Sequence, residues 1–495
     1  MTHMLLERGG RPIVLLLSLI LAACATNPAT GGRMLSLMSE GQEIEMGRAY
    51  AEQIASTMPR YDDDELQAYV NRIGQGLAAT SERPNLPWSF VVLDDAAVNA
   101  FAVPGGYLYV TRGILTHFNS EAELAAVLGH EVGHVTARHS VEQLSRQQLL
   151  GGLLAVGSIV NEDVRGMSGL GAAAIGVFGL RHSRDDEHQA DELGVRYALR
   201  DQYDPREAVK VHTMLGRQTE ARGGRGTPNW LATHPSSADR IARIQQRVSA
   251  ISETELASTR VLANEYLNSV DGIVFGLDPR DGFFQGPRFM HPNLEFEFSM
   301  PEGWETANLT QAVVGQSPKE DAVVQLTLSD TGGHVNAARE FFNSEGIQSN
   351  GGRRTSVHGH PATIGTFEAP TDGGSVSGVA GFIEYGDRTY QILGYTPTQQ
   401  FRAYEANFRS AIGSFDRLTD RAALAVQPLR IDVRTVQRST TLGAMVEDEG
   451  SPVAVEELAI VNGIDVDTRL SRGDRIKWVV GTLPPSGDKL LGLEV

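Results

Sequence analysis

Apolar residues recur at helical spacing through much of the first half of the chain. The clearest stripe has spacings of four, three and four residues: Leu66, Val70, Ile73 and Leu77. An earlier Ser-x-x-Gln pattern at Ser39 and Gln42 is typical of a capping box, where a helix begins. Helical patterns resume at Ser120 and continue to about residue 270. Two strands are predicted between these helices, over Trp88–Leu93 and Tyr107–Thr111.

Near residue 285 the hydrophobic period changes from 3.6 to 2. Apolar and polar residues then alternate, and the apolar positions of the first such run are Leu294, Phe296, Phe298 and Met300. Two later apolar runs flank Gly386-Asp387, which is a hairpin signal, and a helix with one apolar face follows over residues 401–412. The change of period predicts an α+β domain at residues 285–418, after a first domain at residues 39–284.

Two apolar stretches interrupt the helical region, at residues 149–160 and 169–180. Each has about 12 residues, whereas a membrane-spanning helix takes about 20. The stretches are therefore either core helices or an apolar flap beside a substrate cleft.

The N-terminal segment is basic, then apolar, and ends at the single cysteine of the chain, Cys24. Arg8 and Arg11 precede an apolar run that ends in Leu-Ala-Ala-Cys, and this order resembles a bacterial lipoprotein signal. The resemblance implies that residues 1–23 are removed, that Cys24 is acylated and that residues 24–38 form a tether. It places the protein in the periplasm, anchored in the inner leaflet of the outer membrane. The alternative is an uncleaved helix with an unrelated cysteine.

Composition excludes several classes of function. The chain has 495 residues, of which 41% are hydrophobic and 21% charged, as in ordinary globular proteins. Its 43 basic and 61 acidic residues give a net charge of −18, which argues against nucleic acid as a partner. The sequence has no G-x-S-x-G elbow and no G-x-x-x-x-G-K-[ST] loop, the motifs of many serine hydrolases and of P-loop nucleotide-binding proteins.

The strongest chemical motif is H-E-x-x-H at residues 130–134. A Ser-x-x-Glu cap at Ser120 and an apolar stripe place this motif on a buried helix. Because His130 and His134 are four residues apart, both imidazoles point to the same side and can bind one zinc ion. Glu131 then lies beside the metal without being needed as a ligand.

A catalytic zinc ion takes three protein ligands and leaves one position open. Glu187 and Asp191 lie one turn apart on a second predicted helix, whose apolar stripe is Ala190, Leu193, Gly194, Tyr197 and Ala198. Since two acids that face a core need partners, Glu187 is the predicted third ligand and Asp191 the acceptor from a liganding imidazole. The alternative is that both are solvated helix acids.

These motifs, with Asn99-Ala-Phe-Ala and Pro104-Gly-Gly, make residues 35–280 resemble the HtpX-like and BepA-like zinc metallopeptidases. These are gluzincins related to the CAAX prenyl endopeptidases. The resemblance implies a mainly α-helical, zincin-type α+β catalytic domain with one zinc ion per chain. It also implies hydrolysis of peptide bonds, with Glu131 as the general base.

The resemblance assigns further roles around the metal. The strand Tyr107–Thr111 is expected to be the edge that pairs with an extended peptide, with Gly105 and Gly106 leaving space beside the metal, or else an ordinary sheet strand. Arg240, in a family-like element that begins at Thr233, is expected to stabilise the oxyanion, or else to be a salt-bridged surface arginine.

His234 stands in the same element, after a glycine-rich loop at residues 222–228. We expect its imidazole to act as a removable fourth zinc ligand that keeps the enzyme latent, with a helix cap or a catalytic group as alternatives. Three other histidines are predicted to be surface or structural residues: His139, His182 and His188. On a continuous helix His139 would lie roughly 140° around the axis from His134.

Two C-terminal regions resemble other modules. Residues 285–418 resemble PsbP-like domains, through His291-Pro292-Asn293 and the turn at residues 300–304. Residues 428–480 resemble a small βααβ LysM domain with a degenerate opening at Ser439-Thr440. The second region either contacts peptidoglycan or is a structural or protein-binding module.

The sequence therefore predicts a multidomain zinc endopeptidase that cleaves unfolded or stalled proteins of the bacterial envelope. Two alternatives from other classes stay open. One is a non-proteolytic assembly factor or chaperone whose zinc site is kept shut, and the other is a peptidoglycan peptidase.

Overall fold

The computed structural model describes residues 24–155, 182–221, 230, 234, 238–309, 311–371 and 374–482. The signal segment 1–23, the apolar stretch 169–180 and the glycine-rich loop 222–228 lie outside these residues, and the apolar stretch 149–160 lies partly outside them. Within the described ranges, no helix has both the length and the apolar character needed to cross a membrane.

The chain divides into two compact units, each with helices and sheets. The first unit contains the chain up to Phe275 together with Arg430–Val480, and the second contains Gly276–Leu429. The segment Gly276–Leu429 is thus inserted in sequence between two parts of the first unit. Arg430–Val480 lies within the region that the sequence predicts as a separate small domain, yet it belongs to the first unit.

The first unit begins with a hairpin and is then mainly helical. Its described strands up to Phe275 are β1 (Cys24–Thr26), β2 (Arg33–Leu35), β3 (Ser89–Leu93), β4 (Ala100–Val103), β5 (Tyr107–Thr111) and β6 (Val274–Phe275). The described helices are α1 (Glu40–Thr57), α2 (Asp64–Ala79), α3 (Arg112–Leu115), α4 (Glu121–Ala137), α5 (His139–Ala155), α6 (Arg184–Arg200), α7 (Glu207–Ala221), α8 (Ala238–Ser249), α9 (Glu253–Leu256) and α10 (Ala263–Val270). The predicted caps are present, since Ser39 and Gln42 form a capping box and the Ser120 side chain accepts from the Glu123 amide.

The segment predicted as a tether is folded. β1 pairs antiparallel with β2, and Met34 in β2 is buried. We call residues 24–38 the N-terminal strap.

The prediction that β5 is an edge strand is wrong. β5 lies in the middle of a three-stranded sheet, parallel to β3 on one side and antiparallel to β4 on the other. Gly105 and Gly106 form the turn between β4 and β5, with φ angles of +84° and +102° that favour glycine. The backbone of Tyr107 pairs on both sides, with Ser89 and Val103, and β4 is an edge of this sheet.

The second unit is built on a large antiparallel sheet. Its strands are β7 (Phe283–Gln285), β8 (Arg288–His291), β9 (Phe296–Ser299), β10 (Glu305–Asn308), β11 (Val313–Gln316), β12 (Val323–Leu328), β13 (Gln348–Ser349), β14 (Arg353–Val357), β15 (His360–Thr371), β16 (Gly374–Tyr385), β17 (Arg388–Pro397) and β18 (Asp416–Arg417). Its helices are α11 (His334–Phe342), α12 (Phe401–Gly413) and α13 (Arg421–Leu424). The predicted hairpin at Gly386-Asp387 joins β16 to β17, and α12 buries Phe408 and Ile412.

Residues 429–480 have the element order β-α-α-β, with short additional strands. The elements are β19 (Leu429–Thr435), β20 (Thr440–Thr441), α14 (Leu442–Glu449), α15 (Val455–Asn462), β21 (Arg469–Leu470) and β22 (Arg475–Val480). Lys477 of β22 is fully buried, and its amino group donates to Thr116 O at 2.7 Å and Phe118 O at 2.5 Å. A buried amino group that donates to two carbonyls ties this segment to the residues just before α4.

Candidate metal centre

Close helix packing brings the two predicted motifs together. All of α4 is buried, and it lies against α6 at small residues. A methyl group added at Gly133 would lie 3.2 Å from Ala190 O, and one added at Gly194 would lie 3.0 Å from His130 N. Larger residues at these positions would push the helices apart, so the glycines allow α6 to present its acids to the H-E-x-x-H face.

Four buried side chains converge on one point. One donor atom from each of His130, His134, Glu187 and His234 lies within 4.8 Å of the other three. His130 Nε2 is 3.0 Å from His134 Nε2 and 3.3 Å from His234 Nδ1. Glu187 Oε1 is 2.9 Å from His234 Nδ1 and 3.5 Å from His134 Nε2.

The spacing and chemistry of these donors fit a zinc ion. Tetrahedral ligands at about 2.0–2.1 Å from zinc are about 3.3 Å from one another. The closest donor separations here run from 2.9 to 3.5 Å. Imidazole nitrogens and a carboxylate are also the donor types that zinc takes in catalytic sites. The arrangement can therefore hold zinc through His130, His134 and Glu187, with His234 as a fourth donor.

The carboxylates create a strongly anionic pocket that favours a cation. Burial alone would raise the pKa of Glu187, but His234 and hydrogen bonds from His130 and His134 lower it well below its usual range. Burial would lower the pKa of His130, but Asp191 and Glu187 raise it to about 9. A proton on His130 and a metal ion at its Nε2 would both be stabilised by the negative charge of Asp191 and Glu187. Protonation of His130 and metal binding therefore compete.

Asp191 contacts the back of His130, as predicted, and is held by Arg240. Asp191 Oδ1 lies 3.0 Å from His130 Nδ1. The Arg240 guanidinium donates to both oxygens of Asp191, from Nε to Oδ2 at 2.8 Å and from Nη2 to Oδ1 at 2.7 Å. Its third nitrogen, Nη1, lies 2.7 Å from Glu187 Oε2. Burial would raise the pKa of Asp191, but Arg240 and His130 lower it.

These contacts correct two alternatives from the sequence. Glu187, Asp191 and Arg240 are 2%, 7% and 2% exposed, so they are neither solvated helix acids nor a surface arginine. Arg240 is instead salt-bridged in the interior. Its guanidinium fixes the carboxylate of Glu187 and that of Asp191, which in turn contacts His130.

Glu131 is buried at the same centre. Its Oε1 lies 3.3 Å from the indole Nε1 of Trp230 and 3.5 Å from His234 Nε2. Trp230 also stacks on the His234 ring, with centroids 5.1 Å apart. Trp230 lies two residues after the glycine-rich loop and belongs to no sequence motif, so sequence reasoning missed it.

His139 is a buried residue beside the site because the helix that carries His134 does not continue through it. Arg138 ends α4 in the left-handed conformation, with φ +61°, and the chain turns before α5 begins. His139 therefore returns to the site, buried, with its Nδ1 2.9 Å from His134 Nδ1. The His182 ring stacks on His134 with centroids 4.0 Å apart, whereas His188 faces Asp239 on a partly exposed surface.

The remaining predicted residues lie elsewhere. A methyl group added at Gly105 would lie 2.9 Å from Ile44 Cα, so this glycine makes room for α1 rather than for the metal. Gly106 packs near Trp88, and Cys24 opens the N-terminal strap.

Comparison with known proteins gives one family match. Residues 64–248 match the model described as Peptidase family M48. The β-barrel assembly-enhancing protease of Escherichia coli strain K12 is 29% identical over 231 residues, which are 45% of this chain and 47% of that protein. The mitochondrial metalloendopeptidase OMA1 of Arabidopsis thaliana is 36% identical over 187 residues, which are 37% of this chain and 36% of that protein. The chain thus spans about half the length, or less, of these curated relatives.

One solved structure is similar to about a quarter of the chain. The solution structure of cyanobacterial PsbP from Synechocystis sp. PCC 6803 shares 14% identity, covers 26% of this chain and 91% of its own, and has a TM-score of 0.23.

Proposed function

We propose that this protein is a zinc-dependent endopeptidase of the bacterial envelope, because residues 64–248 match the model of peptidase family M48. One observation carries the proposal: His130, His134, Glu187 and His234 converge within 4.8 Å, with Glu131 buried beside them. Both kinds of curated relative are also named as proteases, one of them a metalloendopeptidase.

In this proposal the metal is held by His130, His134 and Glu187. Zinc bound there supplies a Lewis acid that polarises a carbonyl and lowers the pKa of bound water. The Glu131 carboxylate accepts the proton of the attacking water and later delivers it to the leaving amine. Asp191 orients His130 through its Nδ1, and Arg240 holds Asp191 and Glu187 in place.

Arg240 was expected to stabilise the oxyanion. Its nitrogens contact Asp191 and Glu187, so an oxyanion role would require one of these contacts to open. We propose that its main contribution is to position the two carboxylates.

The edge that receives an extended peptide is proposed to be β4, in place of β5. β4 lies at an edge of the sheet and packs near α4, which carries the H-E-x-x-H motif. A peptide paired with β4 would lie along an existing strand, which is a common mode of peptide recognition.

The proposed substrates are unfolded or stalled envelope proteins. The name of the Escherichia coli relative refers to β-barrel assembly, which supports substrates of this class. Acylation of Cys24, attachment to the outer membrane, a PsbP-like character of residues 285–418 and peptidoglycan contact by residues 428–480 stay predictions. A non-proteolytic assembly factor with a closed site stays an alternative, because His234 occupies a donor position at the centre.

Substitution of Glu131 tests the proposed function. Purified Glu131→Gln protein should retain about one zinc ion per chain, because the ligands are intact, and should fail to cleave casein. Glu187→Ala should lose zinc as well as activity. Glu192→Gln is the matched control on α6, since Glu192 is an exposed acid paired with Arg247.

Two outcomes would favour the alternatives. Wild-type protein that binds zinc but cleaves no unfolded protein would favour the assembly factor, and cleavage of purified sacculi would favour the peptidoglycan peptidase. Glu131→Gln protein that still cleaves at the wild-type rate would contradict the mechanism.

A further inference from the structure

The N-terminal strap docks on the helices that carry the metal centre. Met34 is 4% exposed. Leu37 N donates to Ser145 Oγ of α5 at 3.0 Å, and Met38 O accepts from Arg138 Nη2 at 3.0 Å. The strap therefore has a fixed position relative to α4 and α5, which a loose linker would lack.

Asn27 makes the deepest polar contact of the strap. Its amide nitrogen donates to Ala137 O at 3.2 Å and to Gln189 Oε1 at 3.1 Å. Its amide oxygen accepts from the backbone amides of Ala29 at 2.9 Å and Thr30 at 3.3 Å. Because both donors and both lone pairs are used, the orientation of this amide is fixed by its surroundings.

The Asn27 amide in turn fixes the Gln189 side chain. Gln189 Oε1 accepts from Asn27, so this oxygen, and not the amide nitrogen, also faces His139 Nε2 at 2.9 Å. His139 must therefore donate from Nε2, and in the neutral ring its Nδ1 is then an acceptor. Asn27 lies in the strap, Gln189 in α6 and His139 in α5, so the contacts join three separate elements.

His134 donates the last hydrogen bond of this series. His134 Nδ1 lies 2.9 Å from His139 Nδ1, so His134 carries its proton on Nδ1. The lone pair of His134 is then on Nε2, which faces His130 Nε2 at 3.0 Å. This is the tautomer that a metal ligand at Nε2 requires.

We propose that Asn27 is a positioning residue for the metal centre, which acts through Gln189 and His139 to hold His134 in its metal-binding tautomer. The inference rests on the proposed zinc site and adds to it a contribution from the strap. Without the Asn27 donor, the Gln189 amide can rotate and present its nitrogen to His139. His139 then loses its nearest acceptor, since the next one, Asp186 Oδ1, lies 3.7 Å from Nε2, and the tautomer of His134 is less firmly specified.

Zinc affinity measures this effect without reference to catalysis. The full chain is titrated with zinc against a chromophoric chelator, in wild-type and variant forms. Asn27→Asp keeps an oxygen for the Ala29 and Thr30 amides but replaces the donor to Gln189 with an acceptor. Because loss of such an outer partner typically weakens metal binding about 10- to 100-fold, we expect at least about tenfold weaker zinc binding. Gln189→Ala should have a similar effect, and the double variant should be no weaker than Gln189→Ala.

Two controls separate the hydrogen bonds from general docking of the strap. Gln189→Glu keeps an acceptor oxygen for both Asn27 and His139, so it should bind zinc within about threefold of wild type. Ser145→Ala removes the partner of Leu37 N without touching the Asn27 contacts, and it should bind zinc within about twofold of wild type. The unfolding temperature of the metal-free variants shows whether each one folds.

The outcomes separate this inference from the proposed function. Wild-type zinc affinity in Asn27→Asp and Gln189→Ala would overturn the role of Asn27 and leave the zinc site standing. Equal weakening by Ser145→Ala would also overturn it, since docking alone would then explain the effect. If Asn27→Asp does not fold, the contrast between Gln189→Ala and Gln189→Glu decides. Wild-type protein that binds no zinc would contradict the proposed function and this inference together.

Discussion

His234 Nδ1 lies 2.9 Å from Glu187 Oε1, which joins a residue of a separate segment to the predicted third zinc ligand. The other nitrogen of the same ring, Nε2, lies 3.5 Å from Glu131 Oε1. One imidazole thus stands between the ligand carboxylate and the general base, where the attacking water would be needed.

Removal of this imidazole should increase activity. His234→Ala should cleave casein several-fold faster than wild type, because it frees the fourth position while His130, His134 and Glu187 still bind zinc. Cleavage rate and bound zinc should be measured on the same samples. A variant that retains zinc but cleaves more slowly would show that His234 takes part in catalysis and is not inhibitory.

Loss of the buried Arg240 charge should destabilise the first unit. Arg240→Met leaves Asp191 and Glu187 without their shared partner, and breaking such a buried pair costs about 3–5 kcal/mol. Denaturant unfolding of metal-free protein measures this loss of free energy. Arg243→Ala is the matched control on α8, because the pair of Arg243 with Asp239 is exposed and is worth about 0–1 kcal/mol. Equal effects of the two substitutions would show that the Arg240 contacts do not support the fold.

Trp230 should matter for catalysis through its indole N–H. Trp230→Phe keeps an aromatic ring but removes the donor to Glu131 Oε1, so kcat should fall about tenfold while KM and bound zinc stay unchanged. Trp88→Phe is the control, since Trp88 Nε1 donates to Arg83 O at 2.9 Å, a contact outside the metal centre. If kcat is unchanged in Trp230→Phe, the indole does not orient Glu131.

The second unit should lose stability in mild acid through His291. Burial lowers the pKa of His291 to about 4, and its Nδ1 accepts from Leu294 N at 3.2 Å. Because the folded state binds a proton less tightly than the unfolded state, this contribution is complete above pH ~6.5 and is lost as the pH falls towards ~4. The full loss is about 3 kcal/mol.

Unfolding of the full chain across this pH range checks the sign. His291→Asn keeps an acceptor near Leu294 N and cannot titrate, so its stability should depend less on pH. An equally steep loss in this variant would assign the acid sensitivity to other groups.

Much of the centre could be predicted from sequence because its residues lie in local patterns. The i, i+4 spacings of His130 with His134 and of Glu187 with Asp191 already place each pair on one helix face. By contrast, Arg240 lies 49 residues from Asp191, and nothing local indicates that they meet. The sequence match to a known family pointed to Arg240, but its partners are set by tertiary packing.

The features that the sequence did not predict have similar causes. A non-glycine residue rarely adopts a positive φ, so the end of α4 at Arg138, which returns His139 to the site, carries no sequence signal. β4 is short and contains two alanines, which have low strand propensity, so the sequence does not predict it as a strand. Strand order is a property of the whole sheet, and it places β5 in the centre.

The buried Lys477 amino group also bears on the order in which the protein matures. A chain that emerges from its N-terminus first exposes the Thr116 and Phe118 carbonyls long before β22 exists to cover them. The whole of Gly276–Leu429 must be synthesised in between. The sheet and helices of the first unit are thus completed only after the segment Gly276–Leu429 has been synthesised.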